Sequence, residues 1–341
     1  MTEETLLYFP NNSSLNSIFQ FCDSLFSIPV VNKIIIDFAT MGRVEPFYLV
    51  YLSKALRDIT NRNIHKTIWC RNHQDKDYAS HMGFFKSFHL EHGKRPGEAM
   101  GSTTYLPITC LTIEELNREA QQEWEPVQEI IERRAKNLSE KLSQQSLTNL
   151  VDTLTYSIRE IMRNILEHSG ATCIWYCAQY WPMYGKAEIS ILDEGIGIQQ
   201  SIRNNPFLEV TNDSDAIQQA IMPGISSKNY KGVRIDRNNP WHNSGYGLYM
   251  TSRLCRNGGA IYIGSGWHGI LLDENGKVHF NLNHYCQGTV IKMDLSISKL
   301  GQLSTQLLAF RTEGYQIASQ IKGTGYYSAS AASQMLSRDF K

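Results

Sequence analysis

The pattern that most constrains this chain lies near its middle, where apolar residues recur at spacings of three and four. Such spacing is typical of a helix that buries one face. The positions concerned are Val151, Leu154, Ile158, Ile161 and Ile165. The helix is predicted to end at Ser169-Gly170, a common C-terminal signal. Strand-like runs follow near 172–180 and 187–192. This order predicts a second α/β domain that begins at Leu147.

The opposite face of this helix is polar. Glu160 and Asn164 are one turn apart and project from the same face, and Glu167 and His168 extend that face by another turn. A carboxylate placed there can polarise a water molecule. An amide oxygen is a ligand that Mg²⁺ accepts. The residues alone leave two interpretations open, namely a face that lines a pocket and a face that is only solvated.

A first glycine-containing segment, ILDEGIGI, follows the predicted hairpin. Asp193 ends an apolar strand there, and its carboxylate can accept a hydrogen bond from the exocyclic amine of adenine. Gly195 and Gly197 permit a close backbone approach to a ligand. Glycine turns after strands are common, so this segment by itself is moderate support for a nucleotide site.

A second glycine-containing segment, SGYGLYMTSRL, opens a predicted helix. A glycine-rich turn that runs into a helix presents free N–H groups, which suit a polyphosphate. The residues concerned are Gly245, Tyr246, Gly247 and Leu248. About 40 residues later, Gly288-Thr289 opens a strand, and before it Glu274-Asn275-Gly276-Lys277 predicts a tight hairpin turn.

Between the two glycine segments lies a long stretch, about 199–244, that is predicted to be irregular and to form a lid. Proline and asparagine pairs interrupt any regular structure there. Its basic side chains either contact phosphate when the lid closes or belong to a solvated mobile loop. They are Lys228, Lys231, Arg234 and Arg237.

The order of these segments resembles the ATP-binding domain of the GHKL superfamily, which includes gyrase, the Hsp90 chaperone, histidine kinases and MutL and has the Bergerat fold. The resemblance covers about 147–296. Within it, the helix segment IREIMRNILEHSGAT is most similar to the catalytic domain of two-component sensor kinases.

The resemblance implies a role for each motif residue. Asn164 would hold Mg²⁺ against the ATP phosphates, and Glu160 occupies the position of the general base in the ATP-hydrolysing members. Asp193 would bind adenine, with Thr289 nearby. The remaining residues expected to form the nucleotide pocket are His168, Gly195, Gly197, Lys228, Gly245, Tyr246, Gly247 and Leu248. Sensor kinases often have a lysine where this chain has Glu167, which puts that phosphate contact in doubt.

The rest of the chain divides into three further parts. Residues 1–110 alternate strand and helix, with a first helix predicted around Leu15–Phe26. Their strand KIIIDFAT and the helix after it resemble STAS-like interaction domains that are fused to such ATPase domains in bacteria. Residues 111–146 are acidic, open with a Thr112/Glu115 capping box and contain Pro126, which predicts a solvated, broken helical connector. Residues 147–298 form the ATP-binding domain, and residues 299–341 form a C-terminal tail. The expected fold class is α/β (α+β), with the ATP-binding domain an α/β sandwich.

Composition excludes several classes of protein. Lys plus Arg and Asp plus Glu are both 33, so the net charge is zero and gives no support for nucleic-acid binding. No apolar run is long enough for a membrane span, and the N-terminus lacks the pattern of a signal peptide. The seven cysteines are scattered and expected to be reduced, which predicts a cytoplasmic location.

Two function classes and a weaker third follow from the resemblance. The first is a Mg²⁺-dependent ATP-hydrolysing switch whose nucleotide state controls a protein partner or association with a second copy. The second is a protein kinase, histidine-kinase-like or anti-sigma-like, that acts on a separate partner. The third is a regulator that binds ATP without turnover. The connector contains no histidine, so it lacks the phosphoacceptor of a sensor kinase.

Overall fold

A computed structural model gives the three-dimensional structure of the chain. It describes residues 4–31, 33–62, 67–143, 148–234, 238–321, 324 and 328–340. Within these ranges the fold is mixed α/β, with ten α-helices, a parallel sheet of three strands and an antiparallel sheet of five. No helix in this described part is long and apolar enough to cross a membrane. The predicted domain start at Leu147 and the predicted lid residue Arg237 lie outside the described residues.

The N-terminal region has the predicted alternation of strand and helix. Its elements are β1 (Glu4–Tyr8), α1 (Leu15–Phe26), β2 (Lys33–Asp37), α2 (Pro46–Arg62), β3 (Thr67–Arg71) and the short helix α3 (Asp77–His81). The three strands are parallel in the order β1-β2-β3. Parallel neighbours need a crossover connection, and α1 and α2 supply it. α1 begins where the Ser14 hydroxyl accepts a hydrogen bond from the Ser17 amide.

The second sheet is antiparallel. Its strands are β4 (Tyr105–Thr112), β5 (Cys173–Trp181), β6 (Lys186–Asp193), β7 (Ala260–Asp273) and β8 (Lys277–Ser296). They follow the spatial order β4-β5-β6-β8-β7. The hairpin between β7 and β8 turns at the predicted position, where the Asp273 carboxylate accepts hydrogen bonds from the amides of Asn275 and Gly276.

One strand lies in a different sheet from the one predicted. The sequence pattern assigns Tyr105–Cys110 to the N-terminal domain, whereas β4 pairs antiparallel with β5 and places Cys110 opposite Trp175. Residues 72–104 carry the chain from β3 to the edge of the larger sheet. A local pattern identifies a strand but not its partner, because strand pairing depends on side chains distant in the sequence.

Seven further helices lie within the described ranges. They are α4 (Ile113–Glu123), α5 (Val127–Leu142), α6 (Thr148–Asn164), α7 (Gly197–Ile202), α8 (Asp213–Ala220), α9 (Gly247–Arg256) and α10 (Leu303–Ala318). The capping box of Thr112 and Glu115 and the break at Pro126 occur as predicted. The prediction of a solvated connector is wrong for α5, which buries Ile130 and Ile131 and packs against α6. Its few apolar residues share one buried face, and of its acidic residues Glu132 is buried as well, while Glu129 and Glu140 are half-buried.

The five-stranded sheet lies between two layers of helices. On one face, the apolar stripe of α6 packs with Ile174, Ile189 and Ile291. On the other face, α1 and α2 pack with Leu192 and Val290. β6 is therefore buried on both faces, and its buried residues include the polar Glu188 and Ser190. This arrangement holds the polar end of β6 rigidly beside the C-terminal half of α6.

The segment predicted to be an irregular lid is partly helical. α7 and α8 lie within it, and α8 packs against β7. The Asn212 side chain caps α8, and the Asp213 carboxylate accepts a hydrogen bond from the Trp267 amide at 2.9 Å. The described residues between 221 and 246 form no helix or strand. We use the term lid segment below for the described residues 221–234 and 238–246.

Candidate functional site

A pocket opens between the C-terminal half of α6, the end of β6, the lid segment and the start of α9. Its empty volume is about 970 Å³ when its open mouth is included. Nine of the twelve residues predicted from the sequence lie on its wall. They are Glu160, Asn164, His168, Asp193, Gly197, Gly245, Gly247, Leu248 and Thr289. These residues are far apart in the chain, so the tertiary fold brings them together.

The other three predicted residues lie beside the pocket. Gly195 donates its amide hydrogen to the Asp193 carboxylate at 2.8 Å, and a Cβ at this position would lie 2.2 Å from the carbonyl oxygen of Ser169. Tyr246 is fully buried and packs against tyrosine rings of α9 and α10. Lys228 is exposed on the lid segment. Gly195 thus shapes the loop, Tyr246 belongs to a hydrophobic cluster, and Lys228 is free to move toward a ligand.

One end of the pocket is built around Asp193. It lies opposite Thr289 on the neighbouring strand β8 and is 1% exposed. Burial raises the pKa of Asp193 to about 6, while hydrogen bonds from the Gly195 amide and from Thr289 favour the ionised form. Above that pH the carboxylate is a buried acceptor in a largely apolar wall. Such a group suits an amine on a flat, mostly apolar ring.

Glu160 lies toward the other end of the pocket. Ser169, whose carbonyl oxygen lies against Gly195 at the Asp193 end, follows Glu160 by nine residues on one continuous helical stretch. Glu160 and Ser169 are therefore about 13 Å apart along the helix. Its Oε1 accepts hydrogen bonds from Arg159 at 2.9 and 3.1 Å and from Arg163 at 3.3 Å. Its Oε2 lies 2.1 Å from the position that a Cβ of residue 247 would occupy. Glycine at 247 therefore allows the carboxylate to lie directly against the first residue of α9.

Asn164 is the last residue of α6, before a π-helical turn at Ile165–Ser169. Its side chain lies on the pocket wall. Within the described ranges the Asn164 amide makes no hydrogen bond, so both its oxygen and its nitrogen are open to a ligand. π-Turns inside helices occur often at functional sites.

The lid segment is attached to α6 through a polar network. Arg163 donates hydrogen bonds to the Trp241 carbonyl at 2.9 Å and to Glu167 at 3.1 Å. The Asn243 amide donates to Glu167 at 3.0 Å and contacts His168 Nε2 at 2.6 Å. Glu167 is therefore a tether between α6 and the lid segment.

His168 is a neutral member of this network. The Asn243 amide donates to its Nε2, which assigns the ring proton to Nδ1, and Nδ1 lies 3.0 Å from the Ser227 hydroxyl. Burial lowers the pKa of His168 to about 4, and the neighbouring Lys228 and Arg163 act in the same direction. At neutral pH this residue carries no charge, so it anchors the lid segment without attracting phosphate.

Sequence reasoning missed the contribution of the C-terminal segment 328–340. Ser333 lies on the pocket wall, and Arg159 donates to the carbonyl oxygens of Ala332 and Met335. This segment has no helical or strand periodicity that could have indicated a role. The pair Arg159-Glu160 was a local signal, because an arginine next to a buried carboxylate is a natural ion-pair partner.

No group of three or more His, Cys, Asp or Glu side chains in the described ranges is placed to hold a metal ion. The candidate site therefore rests on the nine wall residues and on the polar network around Glu160. Comparison of the chain with protein-family models, with curated proteins and with solved structures gives no match.

Proposed function

We propose that this protein binds Mg²⁺–ATP in the pocket and hydrolyses it as a nucleotide-controlled switch of the GHKL type. One observation carries the proposal. A buried carboxylate at the end of β6, an open amide at the end of α6 and a glycine-rich start of α9 line one cavity. These groups match the three parts of an adenine nucleotide, namely the base amine, the metal and the phosphates.

The architecture supports the same assignment. An antiparallel sheet carries α6 and α9 on one face, with the pocket at the edge of that layer. This is the arrangement expected of a Bergerat fold. The parallel β1-α1-β2-α2-β3 unit supports the STAS-like interpretation of the N-terminal region and a role in contacts with a protein partner or second copy.

Base recognition would depend on Asp193. Its carboxylate would accept a hydrogen bond from the adenine amine, and Ile191 and Ile291 would contact the ring. Guanine carries a carbonyl oxygen where adenine carries the amine, so it would place an acceptor against an acceptor. The pocket should therefore prefer ATP over GTP.

The metal would be held by Asn164 together with phosphate and water oxygens. Mg²⁺ prefers oxygen ligands and commonly uses one or two protein groups with substrate phosphates. The open Asn164 amide fits this requirement. Bound Mg²⁺ would supply charge neutralisation at the phosphates. The amides at Gly245 and Gly247, at the start of α9, would add positive partial charge there.

Glu160 would orient the attacking water. Its Oε1 is engaged by Arg159 and Arg163, and its Oε2 lies against Gly247. A carboxylate held in this way needs no rearrangement to accept a proton from water in the transition state. The bond formed is between the water oxygen and the γ-phosphorus, and the bond broken joins that phosphorus to the β-phosphate oxygen.

Incubation with γ-labelled ATP and Mg²⁺ tests the proposal and its alternatives. We expect free labelled phosphate and ADP in equal amounts, and weaker competition by GTP than by unlabelled ATP. Label on the protein or on an added partner instead of free phosphate would assign a kinase. Binding of ATP in calorimetry without either product would assign a non-hydrolysing regulator, and absence of binding would overturn the nucleotide assignment.

A further inference from the structure

The C-terminal segment 328–340 lies across the part of the pocket that contains Glu160. The Tyr156 hydroxyl donates to the Ser333 carbonyl at 2.9 Å. Glu132 of α5 accepts hydrogen bonds from the amide and hydroxyl of Ser337 at 2.7 and 2.6 Å. The segment is thus bound to two helices, α5 and α6, by groups that are themselves buried.

The same segment is bound to the lid segment. The Ala332 amide donates to the Pro240 carbonyl at 3.1 Å, and the hydroxyls of Ser333 and Ser244 are 3.1 Å apart. Trp241 and Phe340 are in ring contact at 5.2 Å. Movement of the lid segment would therefore break or shift its direct contacts with the C-terminal segment.

Arg159 is the point at which these contacts meet. Its side chain is fully buried, and its guanidinium contacts Glu132, Glu160 and the carbonyl oxygens of Ala332 and Met335. A guanidinium has five N–H donors in a fixed plane. If the two carbonyl oxygens move away, the guanidinium keeps only its two carboxylate partners, Glu132 and Glu160, and its plane can shift. The Glu160 carboxylate then shifts with it, because Arg159 donates two of the three hydrogen bonds to its Oε1.

We propose that Arg159 is a positioning residue for Glu160 and that docking of the C-terminal segment sets its position. This inference rests on the proposed function, since Glu160 matters only if ATP is hydrolysed. The C-terminal segment is bound to α6 and to the lid segment in this structure, and nucleotide beside Ser333 would favour this docked state over a released one. Turnover then requires the docked segment, whereas nucleotide affinity depends on docking only by the factor with which nucleotide favours it.

Two variants of the full-length chain test the proposal, with one matched control. Leu336→Asp places a charge at a site that is 3% exposed and should release the segment, which removes Ser333 from the pocket wall but substitutes no residue of that wall. Leu308→Asp, at a residue that is 52% exposed, is the control. Arg159→Lys keeps the charge but cannot reach all of its present partners.

We expect Leu336→Asp to lower kcat about 10- to 100-fold, the effect of misplacing a reacting group by about 1 Å. ATP affinity should fall by a smaller factor, the one by which nucleotide favours docking of the segment. Arg159→Lys should give an intermediate kcat, and Leu308→Asp should behave as the wild type. Release of the segment is checked by faster hydrogen exchange in the peptide that contains 328–340. Faster exchange with unchanged kcat would overturn the proposal, and so would a kcat loss matched by an equal loss in the control.

A second measurement does not depend on turnover. A non-hydrolysable ATP analogue should slow hydrogen exchange in 328–340 of the wild type, and less so in Arg159→Lys. If the analogue protects the start of α9 but leaves 328–340 unchanged, the proposed coupling is wrong while nucleotide binding stands. If the analogue protects neither region, the proposed function itself fails.

Discussion

The two ends of the pocket are constructed differently. At the Asp193 end, the carboxylate and Thr289 lie opposite each other on paired strands in the middle of the sheet. At the Glu160 end, the wall is assembled from α5, α6, the lid segment, α9 and the C-terminal segment. Strand pairing holds the first end in place whether or not a ligand is bound. The second end exists only when several distant segments are docked, so the proposed nucleotide switch would act at this end.

The largest effect on activity should come from a substitution at the Glu160 end, which is assembled from several segments. Glu160→Gln keeps an acceptor for Arg159 and Arg163 but removes the base, so turnover should fall by about 10²–10⁴-fold while ATP affinity stays close to that of the wild type. Phosphate release and calorimetry measure the two quantities separately. Glu114→Gln, at an exposed position on α4, is the control. If Glu160→Gln hydrolyses ATP at the wild-type rate, Glu160 is not the base and is only a polar residue of the pocket wall.

A substitution at the Asp193 end, which strand pairing holds in place, should weaken ATP binding and leave turnover largely intact. Asp193→Asn replaces a carboxylate acceptor with an amide and should weaken ATP binding by about 1–3 kcal/mol. Turnover at saturating ATP should be largely retained, because Glu160 is untouched. Glu274→Gln, at an exposed position in the turn between β7 and β8, serves as the control. Unchanged affinity of Asp193→Asn in calorimetry would refute the adenine assignment.

ATP affinity should also depend on pH through Asp193. Because burial raises the pKa of Asp193 to about 6, the acceptor is ionised at pH 7.5 and becomes protonated as the pH falls through 6. ATP affinity should therefore drop about tenfold by pH 5, one unit below that pKa. The ATP phosphates also titrate in this range, so the quantity to compare is the ratio of wild-type to Asp193→Asn affinity. If this ratio does not change with pH, Asp193 does not bind the adenine ring.

The smallest effect concerns the lid segment. Lys228 and Lys231 are exposed there, in a stretch without helix or strand, so trypsin should cut after them in the free protein. A non-hydrolysable ATP analogue with Mg²⁺ should slow this cleavage several-fold. Cleavage after the exposed Lys299, which lies outside the lid segment, should be unaffected. Equal cutting at Lys228 with and without the analogue would show that nucleotide does not order the lid segment.

Local features of the fold were predictable from the sequence. α1 has the predicted span Leu15–Phe26, the Thr112/Glu115 capping box opens α4, and the β7–β8 hairpin turns where Asn275-Gly276 predicts it. Periodicity, caps and tight turns involve residues only a few positions apart. The interactions that stabilise them can therefore be predicted from short stretches of sequence.

Three expectations failed because they concerned contacts between distant residues. β4 pairs with β5 and not with the N-terminal sheet. α5 packs on α6 instead of remaining solvated, and α8 gives part of the predicted irregular lid a fixed place on β7. In each case the local pattern is weak or ambiguous, and burial against another element decides the outcome.

For the candidate site, the sequence by itself determined which residue types are present and in what order, and nine of the twelve chosen residues line one pocket. Only the tertiary structure decided how Glu160 is held. Arg159 is its neighbour in the chain, but the carbonyl oxygens that orient Arg159 come from Ala332 and Met335, more than 170 positions away. Backbone carbonyls have no sequence signature, because every residue carries one. Their role becomes visible only when the fold brings the C-terminal segment onto α6.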